Sequence, residues 1–155
     1  MVRTPRIGEK NGSKHSLLVD EHGIPLSLVV SGAERHDLKL LAPTLDRIMV
    51  KRPKPRPGKK QNLCADKGYA GEPARRAIES RAYVPHVPPK GKKGKPRARI
   101  GKHRPRRWVV ERTNSWLNRF RKLLVRFEKY SRSYEGLLEL ACSLIVFRRI
   151  IVIYG

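Results

Sequence analysis

Acidic residues are scarce in this sequence of 155 residues, where 13 Asp and Glu stand against 36 Lys and Arg and leave a formal net charge of +23. An imbalance of this size excludes solubility as its sole explanation and indicates a polyanionic partner, with nucleic acid as the leading candidate. An anionic membrane would also attract the charge, but neither terminus carries a lipidation signal or an amphipathic basic helix. We therefore expect no membrane partner.

Cysteine is scarce as well. Cys64 and Cys142 are the only two, and without a CxxC or Cys/His spacing they form neither a zinc-binding pattern nor a disulfide framework. Both lie inside apolar stretches, so we expect them to be small core residues. The five histidines are too dispersed for a metal or nucleophile site, and the sequence has no GxSxG motif or Walker-type glycine loop.

Long uninterrupted apolar runs are missing. The longest run, near residues 137–154, is broken by Glu139, Arg148 and Arg149, so it predicts a buried helix and not a membrane span. Residues 1–10 are polar and basic and lack the apolar core of a secretory signal. We therefore expect a cytoplasmic protein.

The apolar patterns that are present predict an α/β fold. Runs 16–20 and 24–31 are rich in β-forming residues, and Gly23 between them predicts a hairpin turn. Helical spacing after Asp37, whose carboxylate can cap the first turn, predicts a helix to about residue 49 that Pro43 bends. The pattern then predicts a strand at 62–66, a turn at 67–71, a helix at 73–80 and a strand at 83–87.

Two basic segments interrupt these elements. Residues 51–60 carry six basic residues and three prolines, which predicts a basic loop. Residues 89–107 hold ten Lys or Arg and no acidic residue, so we expect a segment that is mobile without DNA and that contacts phosphates. Trp108 adjoins it, where bases could stack. The basic side chains expected to bind here include Lys92, Lys93, Lys95, Arg97, Arg99 and Arg104.

Two long helices are predicted in the last third of the chain. Pro105 suits the first position of a helix that runs to about residue 129, and Ser133 can cap a second helix to about residue 151. The first helix would have a broad apolar face of Val109, Thr113, Trp116, Leu117, Phe120, Leu123, Leu124 and Phe127. Its opposite face would carry Arg107, Glu111, Ser115, Asn118 and Lys122.

Two acidic residues are candidates for chemistry. Asp66 ends a short apolar strand, where α/β sheets commonly bind ligands, although it could instead only begin a turn with Gly68, which is a common use of Asp and Gly. Glu111 stands among cations, an arrangement that can hold a divalent metal while the neighbouring side chains bind phosphates. The alternative for Glu111 is an ordinary surface salt bridge with Arg107, four residues earlier on the helix.

Three segments, in this order and spacing, resemble the Asp-Asp-Glu (DDE) transposases of bacterial insertion sequences, of the type-five family. They are GSKHSLLVDEHGIPLSLVVSGAERHDLKLLAPTLD (12–46), ADKGYAG (65–71) and RRWVVERTNSWLNRFRKLLVRFEKY (106–130). The resemblance implies a ribonuclease H-like mixed sheet flanked by helices. In this fold, three carboxylates hold two Mg²⁺ or Mn²⁺ ions for strand cleavage and strand transfer on DNA. Asp66 matches the second aspartate and Glu111 the glutamate, which would make both catalytic and metal-binding. The protein would be nucleoid-associated and form a homo-oligomer on DNA.

The glutamate of this family lies in a Tyr, Arg, Glu, Lys signature with two, three and six residues between successive members. Arg107 and Glu111 match it, whereas Arg104 and Asn118 stand at the tyrosine and lysine positions. Arg119 and Lys122 are close enough to supply the missing cation. The residues expected to bind DNA along this helix are therefore Arg104, Arg107, Arg112, Arg119 and Lys122.

The first aspartate of the family lies on a strand that precedes the hairpin. Residues 1–15, a basic N-terminal segment, contain no aspartate, and Asp20 and Glu21 match noncatalytic turn residues. We therefore expect residues 16–155 to be a partial catalytic domain that lacks the first strand and is inactive alone. An N-terminal transposase fragment from an overlapping frame would then be a partner. Two alternatives stay open: a noncatalytic DNA-binding fragment that inhibits transposition, and a basic RNA-binding protein.

Overall fold

The computed structural model describes residues 12–54, 56, 60–88 and 106–154, without the side chains of residues 107, 153 and 154. The predicted α/β composition is confirmed. In chain order the elements are β1 (Ser13–Val19), β2 (Pro25–Gly32), α1 (Asp37–Asp46), β3 (Gln61–Cys64), a 3₁₀ turn (Lys67–Tyr69), α2 (Glu72–Glu79), β4 (Tyr83–His86), α3 (Arg107–Asn118), α4 (Arg121–Leu124) and α5 (Ser131–Tyr154).

Strands β1 and β2 form the predicted antiparallel hairpin, with Leu17 opposite Leu28. Asp20 closes the turn, because its Oδ1 accepts hydrogen bonds from the backbone N–H groups of His22 at 2.9 Å and Ile24 at 2.7 Å. Gly23 has φ 81°, a conformation that glycine adopts without a steric penalty. The positive φ of this turn therefore favours glycine at position 23, as the sequence predicts.

The hairpin separates two layers because successive side chains of a strand point to opposite faces. Leu17 packs against the apolar cluster of α3, α4 and α5, whereas Leu18 packs against the cluster of α1, β3 and α2. We call α1, β3, α2 and β4 the first layer, and α3, α4 and α5 the second layer. The buried residues of the first-layer cluster are Leu41, Leu45, Leu63, Ala74 and Ile78. Those of the second-layer cluster are Leu28, Leu117, Leu123, Tyr134, Leu138, Ala141 and Ile145.

Strands β3 and β4 run parallel, with α2 as the crossover between them and Leu63 opposite Pro85. Within the described ranges, this pair and the hairpin are two separate two-stranded sheets. The described residues therefore contain both strand directions of the predicted mixed sheet, but they do not form one continuous sheet. Cys64 is exposed, so its predicted place in the core is wrong: Leu63 takes the buried face of β3, and Cys64 points the other way.

The predicted long helix over residues 105–129 is wrong, because α3 ends at Asn118. Phe120 is extended, with φ −81° and ψ 101°, and its N–H bonds to the carbonyl of Leu117 in a tightened last turn. The break turns both Phe120 and Leu123 toward the apolar side of α5. Leu124 and Phe127, predicted for the apolar face, are exposed instead.

Helix α1 also begins and ends differently from its prediction. Its N-cap is His36, whose Nδ1 accepts from the N–H of Leu38 at 3.2 Å, and the carboxylate of Asp37 pairs instead with Lys14 Nζ at 2.8 Å. The helix keeps Pro43 inside it and ends at Asp46, which leaves Met49 exposed.

Helix α5 starts two residues before the predicted cap, Ser133, and only one of its sides is buried. The predicted burial of this helix therefore applies to one side only. Cys142, on the inner side, is half-buried, and burial raises the pKa of its thiol to about 11. Among the described residues, no helix is long and apolar enough to cross a membrane.

Candidate nucleic-acid interface

Three arginines of the first layer are paired with carboxylates. Arg81 binds Asp46 through two nitrogens, at 2.6 Å and 2.7 Å, and this hydrogen-bonded pairing lowers the pKa of Asp46. On α2, Arg75 pairs with Glu79 at 2.8 Å and Arg76 with Glu72 at 3.1 Å, each four residues apart. Each of these three arginines has an anion beside it, so its own positive charge is compensated.

Three arginines of the second layer contact neutral partners, namely carbonyl oxygens and aromatic rings. Arg112 donates from Nη2 to the carbonyl oxygen of His22 at 2.5 Å, and its guanidinium lies 4.9 Å from the Trp108 ring and 5.1 Å from the Trp116 ring. A carbonyl or an aromatic ring holds a guanidinium in place without cancelling its charge. Arg112 therefore remains a source of positive potential although it is fixed against the protein.

Two other arginines repeat this arrangement. Arg149 donates to the carbonyl of His22 at 3.3 Å and lies 5.4 Å from the Trp116 ring. Arg126 donates to the carbonyl of Glu128 at 3.0 Å and lies 5.4 Å from the Tyr134 ring. The positive charge of the second layer is thus built into its packing.

Exposed cations continue along the same layer at the junction of α3 and α4. Arg119, Arg121 and Lys122 are all exposed. None of them takes part in the ion pairs found in the described part of the chain. This junction is therefore a described surface that suits phosphate groups.

Consecutive residues of α3 attach that helix to the hairpin. Buried Thr113 donates from Oγ1 to the carbonyl of Gly23 at 2.7 Å, and Asn114 Oδ1 lies 3.3 Å from His15 Nε2. A Cβ on Gly23 would lie 2.8 Å from Thr113 Oγ1, so the close approach also requires glycine. These contacts fix the backbone that carries Glu111.

His15 is a partly buried titratable group in this attachment. Burial lowers its pKa, against the opposing effect of its hydrogen bond with Asn114. The neutral imidazole can donate from Nε2 to the amide oxygen of Asn114. The sequence alone gave no role to His15 or Asn114. The signal that could have found His15 is strand alternation, since it shares the face of β1 that carries Leu17.

Asp66 follows β3 in the first layer and caps the 3₁₀ turn. Its Oδ1 accepts from the N–H of Lys67 at 2.7 Å, and its carbonyl accepts from the N–H of Tyr69 at 2.9 Å. The predicted turn at Asp66 is confirmed. The nearby Tyr69 has a raised pKa, caused first by burial and then by the negative charges of Asp37 and Asp66.

Glu111 is exposed in the middle of α3, so the two candidate carboxylates belong to different layers. Among the described residues, no group of three His, Cys, Asp or Glu side chains is placed to hold a metal ion. The side chain of Arg107 and the predicted DNA-binding residues Lys92, Lys93, Lys95, Arg97, Arg99 and Arg104 lie outside the described residues.

A basic layer beside carboxylates on separate elements is typical of proteins that act on nucleic-acid phosphates. The chain belongs to the transposase DDE domain family, whose family model matches residues 2–146. DDE transposase domains generally depend on divalent metal ions and act on DNA. This agrees with the predicted transposase resemblance.

One curated relative is the transposase described for insertion sequence element IS402 of Burkholderia cepacia. It is 37% identical over 139 residues, a match that covers 86% of this chain and 62% of that protein. The chain thus spans less than two thirds of this relative's length. No solved structure matches the chain.

Proposed function

We propose that this chain is the DNA-binding, carboxylate-bearing part of a transposase that cleaves and joins strands at the ends of an insertion sequence. Membership of the DDE transposase family is the observation that carries the proposal. The net charge of +23 supports a polyanionic substrate, and the family assignment favours DNA over the RNA-binding alternative.

The second layer forms the described part of the DNA-binding surface. Arg119, Arg121 and Lys122 contact phosphates directly, while the fixed guanidinium of Arg112 adds to the positive potential around them. Exposed Trp108, beside Arg112, offers a face on which a base can stack. Because phosphates carry no sequence information, these contacts have little sequence preference.

Asp66 and Glu111 are the proposed catalytic carboxylates and metal ligands. Their oxygen atoms are the hard donors that Mg²⁺ and Mn²⁺ prefer. In the complete enzyme, two bound ions would supply activation of a water or 3′ hydroxyl and stabilisation of the leaving oxygen. Glu111 is positioned for this role by the contacts of Thr113 and Asn114 with the hairpin.

A further strand would complete a ribonuclease H-like sheet. In the described part of the chain, β1 pairs only with β2 and β3 only with β4, so one edge of each is available. Leu18 of β1 and Leu63 of β3 nevertheless pack in one apolar cluster. We propose that a strand bearing the third carboxylate pairs with these edges and that an N-terminal transposase fragment supplies it. The partial catalytic domain of residues 16–155 would then be inactive without it.

A noncatalytic role is the second candidate. The finding that no three described side chains form a metal-binding group favours it for the isolated chain. Such a fragment would occupy the ends of the element and inhibit transposition by the complete enzyme. DNA binding is common to both candidates, so only catalysis by the completed protein separates them.

Strand nicking on DNA that carries the element's own ends tests the proposal. The 155-residue chain should bind this DNA but not nick it with Mg²⁺ or Mn²⁺, because the remaining carboxylates cannot hold both ions. Joining the upstream transposase segment, or adding it as a separate fragment, should restore nicking. Metal-dependent nicking by the chain alone that Glu111→Gln abolishes would contradict the proposed incompleteness, and failure of the joined protein to nick would favour the noncatalytic candidate.

A further inference from the structure

The basic loop between α1 and β3 is not part of the DNA-binding surface proposed above. Residues 51–60 carry six basic residues and three prolines, and they lie outside the three segments that carry the family resemblance. Four of these cations, Lys51, Lys54, Arg56 and Lys60, are exposed. None of the four takes part in the ion pairs formed among the described residues. The loop therefore presents positive charge that those residues leave uncompensated.

Arg52 fixes the start of this loop against the strand β4. It donates from Nη1 to the carbonyl oxygen of Arg81 at 2.7 Å and from Nη2 to that of Ala82 at 3.2 Å. Its guanidinium lies 3.7 Å from the centroid of the Tyr83 ring. Carbonyl oxygens and an aromatic ring hold a guanidinium without cancelling its charge. Arg52 therefore anchors the loop and also adds to its positive potential.

Gln61, the first residue of β3, fixes the other end of the loop. Its Nε2 donates to the carbonyl oxygen of Pro53 at 3.1 Å, and its Oε1 accepts from Nε of Arg52. Asp46 is bound by two nitrogens of Arg81, the residue whose carbonyl holds Arg52. This carboxylate is therefore already paired and does not neutralise the loop.

The loop and the start of β3 enclose a groove of about 590 Å³, lined by Pro53, Lys54, Arg56, Lys60 and Gln61. Sites for small ligands have volumes of about 300–1,000 Å³, so the groove has room for a phosphate together with its sugar. Three of its five lining side chains are cations, and Lys and Arg donate hydrogen bonds but accept none. A ligand with several negatively charged oxygens therefore fits this groove.

The groove is separate from the site described above. Gln61 begins β3, whereas Asp66 follows its end, and five residues of extended chain place the two about 15 Å apart. Arg119, Arg121 and Lys122 belong to the second layer, on the other side of the hairpin. The groove therefore adjoins neither the proposed catalytic Asp66 nor the exposed cations of the second layer.

We propose that this groove is a second DNA-binding surface, which holds the phosphates of a duplex of its own. The inference rests on the proposed function, because that function makes DNA the polyanion. DNA is stiff, with a persistence length of about 150 bp, so a short duplex bound along the second layer does not bend around the hairpin to the groove. One chain can therefore hold two duplexes at the same time, one on each surface.

Fluorescence anisotropy on a labelled duplex of one helical turn tests the groove. The background is the chain with Arg121→Gln and Lys122→Gln, in which binding by the second layer is weakened. Adding Lys54→Gln and Arg56→Gln should weaken the remaining binding about 10-fold and reduce the salt slope by about 1 to 2. Arg75→Gln with Arg76→Gln removes the same charge from ion pairs of the first layer and should weaken binding less than about 3-fold.

Energy transfer between donor-labelled and acceptor-labelled duplexes of the same length tests whether one chain holds two. At physiological salt the unchanged chain should bring the two labels together. The Lys54→Gln, Arg56→Gln chain and the Arg121→Gln, Lys122→Gln chain should each reduce the transfer at least about 10-fold, because each retains only one complete surface. The Arg75→Gln, Arg76→Gln chain should transfer as well as the unchanged chain.

A poly-glutamate peptide with the same number of charges as the duplex tests the nature of the ligand. In the Arg121→Gln, Lys122→Gln background it should displace the labelled duplex at least about 10-fold less effectively than unlabelled duplex does, because DNA carries the denser charge and releases more counterions. Equal displacement would assign the groove to an acidic protein segment and overturn the proposal.

The proposal would also be overturned if Lys54→Gln with Arg56→Gln lost no more affinity than the Arg75→Gln, Arg76→Gln control, or if it left energy transfer intact. Both changed side chains are exposed, so the fold is retained in these variants. DNA binding by the unchanged chain that is insensitive to the groove variants would refute only this inference. Absence of DNA binding by the unchanged chain would instead contradict the proposed function.

Discussion

The two layers of this protein use arginine in different ways. In the first layer, Arg75, Arg76 and Arg81 each bind a carboxylate. In the second layer, Arg112 and Arg149 bind a backbone carbonyl and tryptophan rings. Both arrangements hold the side chain in place, but only the second leaves its charge uncompensated. The location of positive potential therefore depends on the partners of the basic residues and not only on their number.

The comparison predicts that equal charge changes in the two layers have unequal effects on DNA binding. Arg121→Gln with Lys122→Gln should weaken binding about 10- to 100-fold at physiological salt and reduce the salt slope by about 1 to 2. Arg75→Gln with Arg76→Gln removes the same charge from first-layer ion pairs and should weaken binding less than about 3-fold. Fluorescence anisotropy on duplex DNA measures both, and equal losses would show that net charge alone decides affinity.

The attachment of the second layer to the hairpin predicts a loss of stability at Gly23. Gly23→Ala should lower the free energy of unfolding by about 2–3 kcal/mol, because the left-handed backbone and the approach of Thr113 Oγ1 both oppose a Cβ. Urea denaturation measures the change. Gly136→Ala is the matched control, since a Cβ there meets nothing within 4 Å, and it should stabilise α5 by about 1 kcal/mol or less. Equal effects at the two glycines would contradict the proposed contact.

A smaller, pH-dependent effect is expected at His15. Burial lowers its pKa in the folded chain, so the unfolded chain binds a proton first as the pH falls below about 6.5. The free energy of unfolding should therefore fall as pH decreases from 7 to 5, by at most about 1.4 kcal/mol per pH unit from this group. His15→Gln keeps a donor for Asn114 and should flatten this part of the profile. An unchanged profile for His15→Gln would exclude His15 as the cause.

Local chemistry made part of the fold predictable from the sequence. The hairpin follows from two β-rich runs around Gly23, and the turn at Asp66 follows from its position before a glycine. The break after Asn118 could not be read from helical spacing, because packing of Phe120 and Leu123 against α5 outweighs the local preference for helix. The predicted N-cap of α1 was wrong for a similar reason. Asp37 forms an ion pair with Lys14, 23 residues earlier in the chain, and does not cap the helix.

In the candidate site, too, some features could be predicted from the sequence and others depend on contacts between distant residues. The family pattern predicts Asp66 and Glu111 as catalytic carboxylates, and the structure places them on separate elements. The difference between compensated and uncompensated arginines could not be predicted, because the partners are distant in sequence: Arg81 and Asp46 are 35 residues apart, and Arg112 and His22 are 90 apart. Such pairings depend on how the layers pack on the hairpin.

The most direct test of the account is strand nicking by this chain joined to the upstream transposase segment, on DNA with the element's ends and Mg²⁺ present. We predict that Asp66→Asn and Glu111→Gln each reduce the nicking rate by at least about 1,000-fold while DNA affinity is retained, and that Glu34→Gln, an exposed control, changes the rate less than about 3-fold. A joined protein that nicks normally with Glu111→Gln would contradict the assignment of this carboxylate to catalysis.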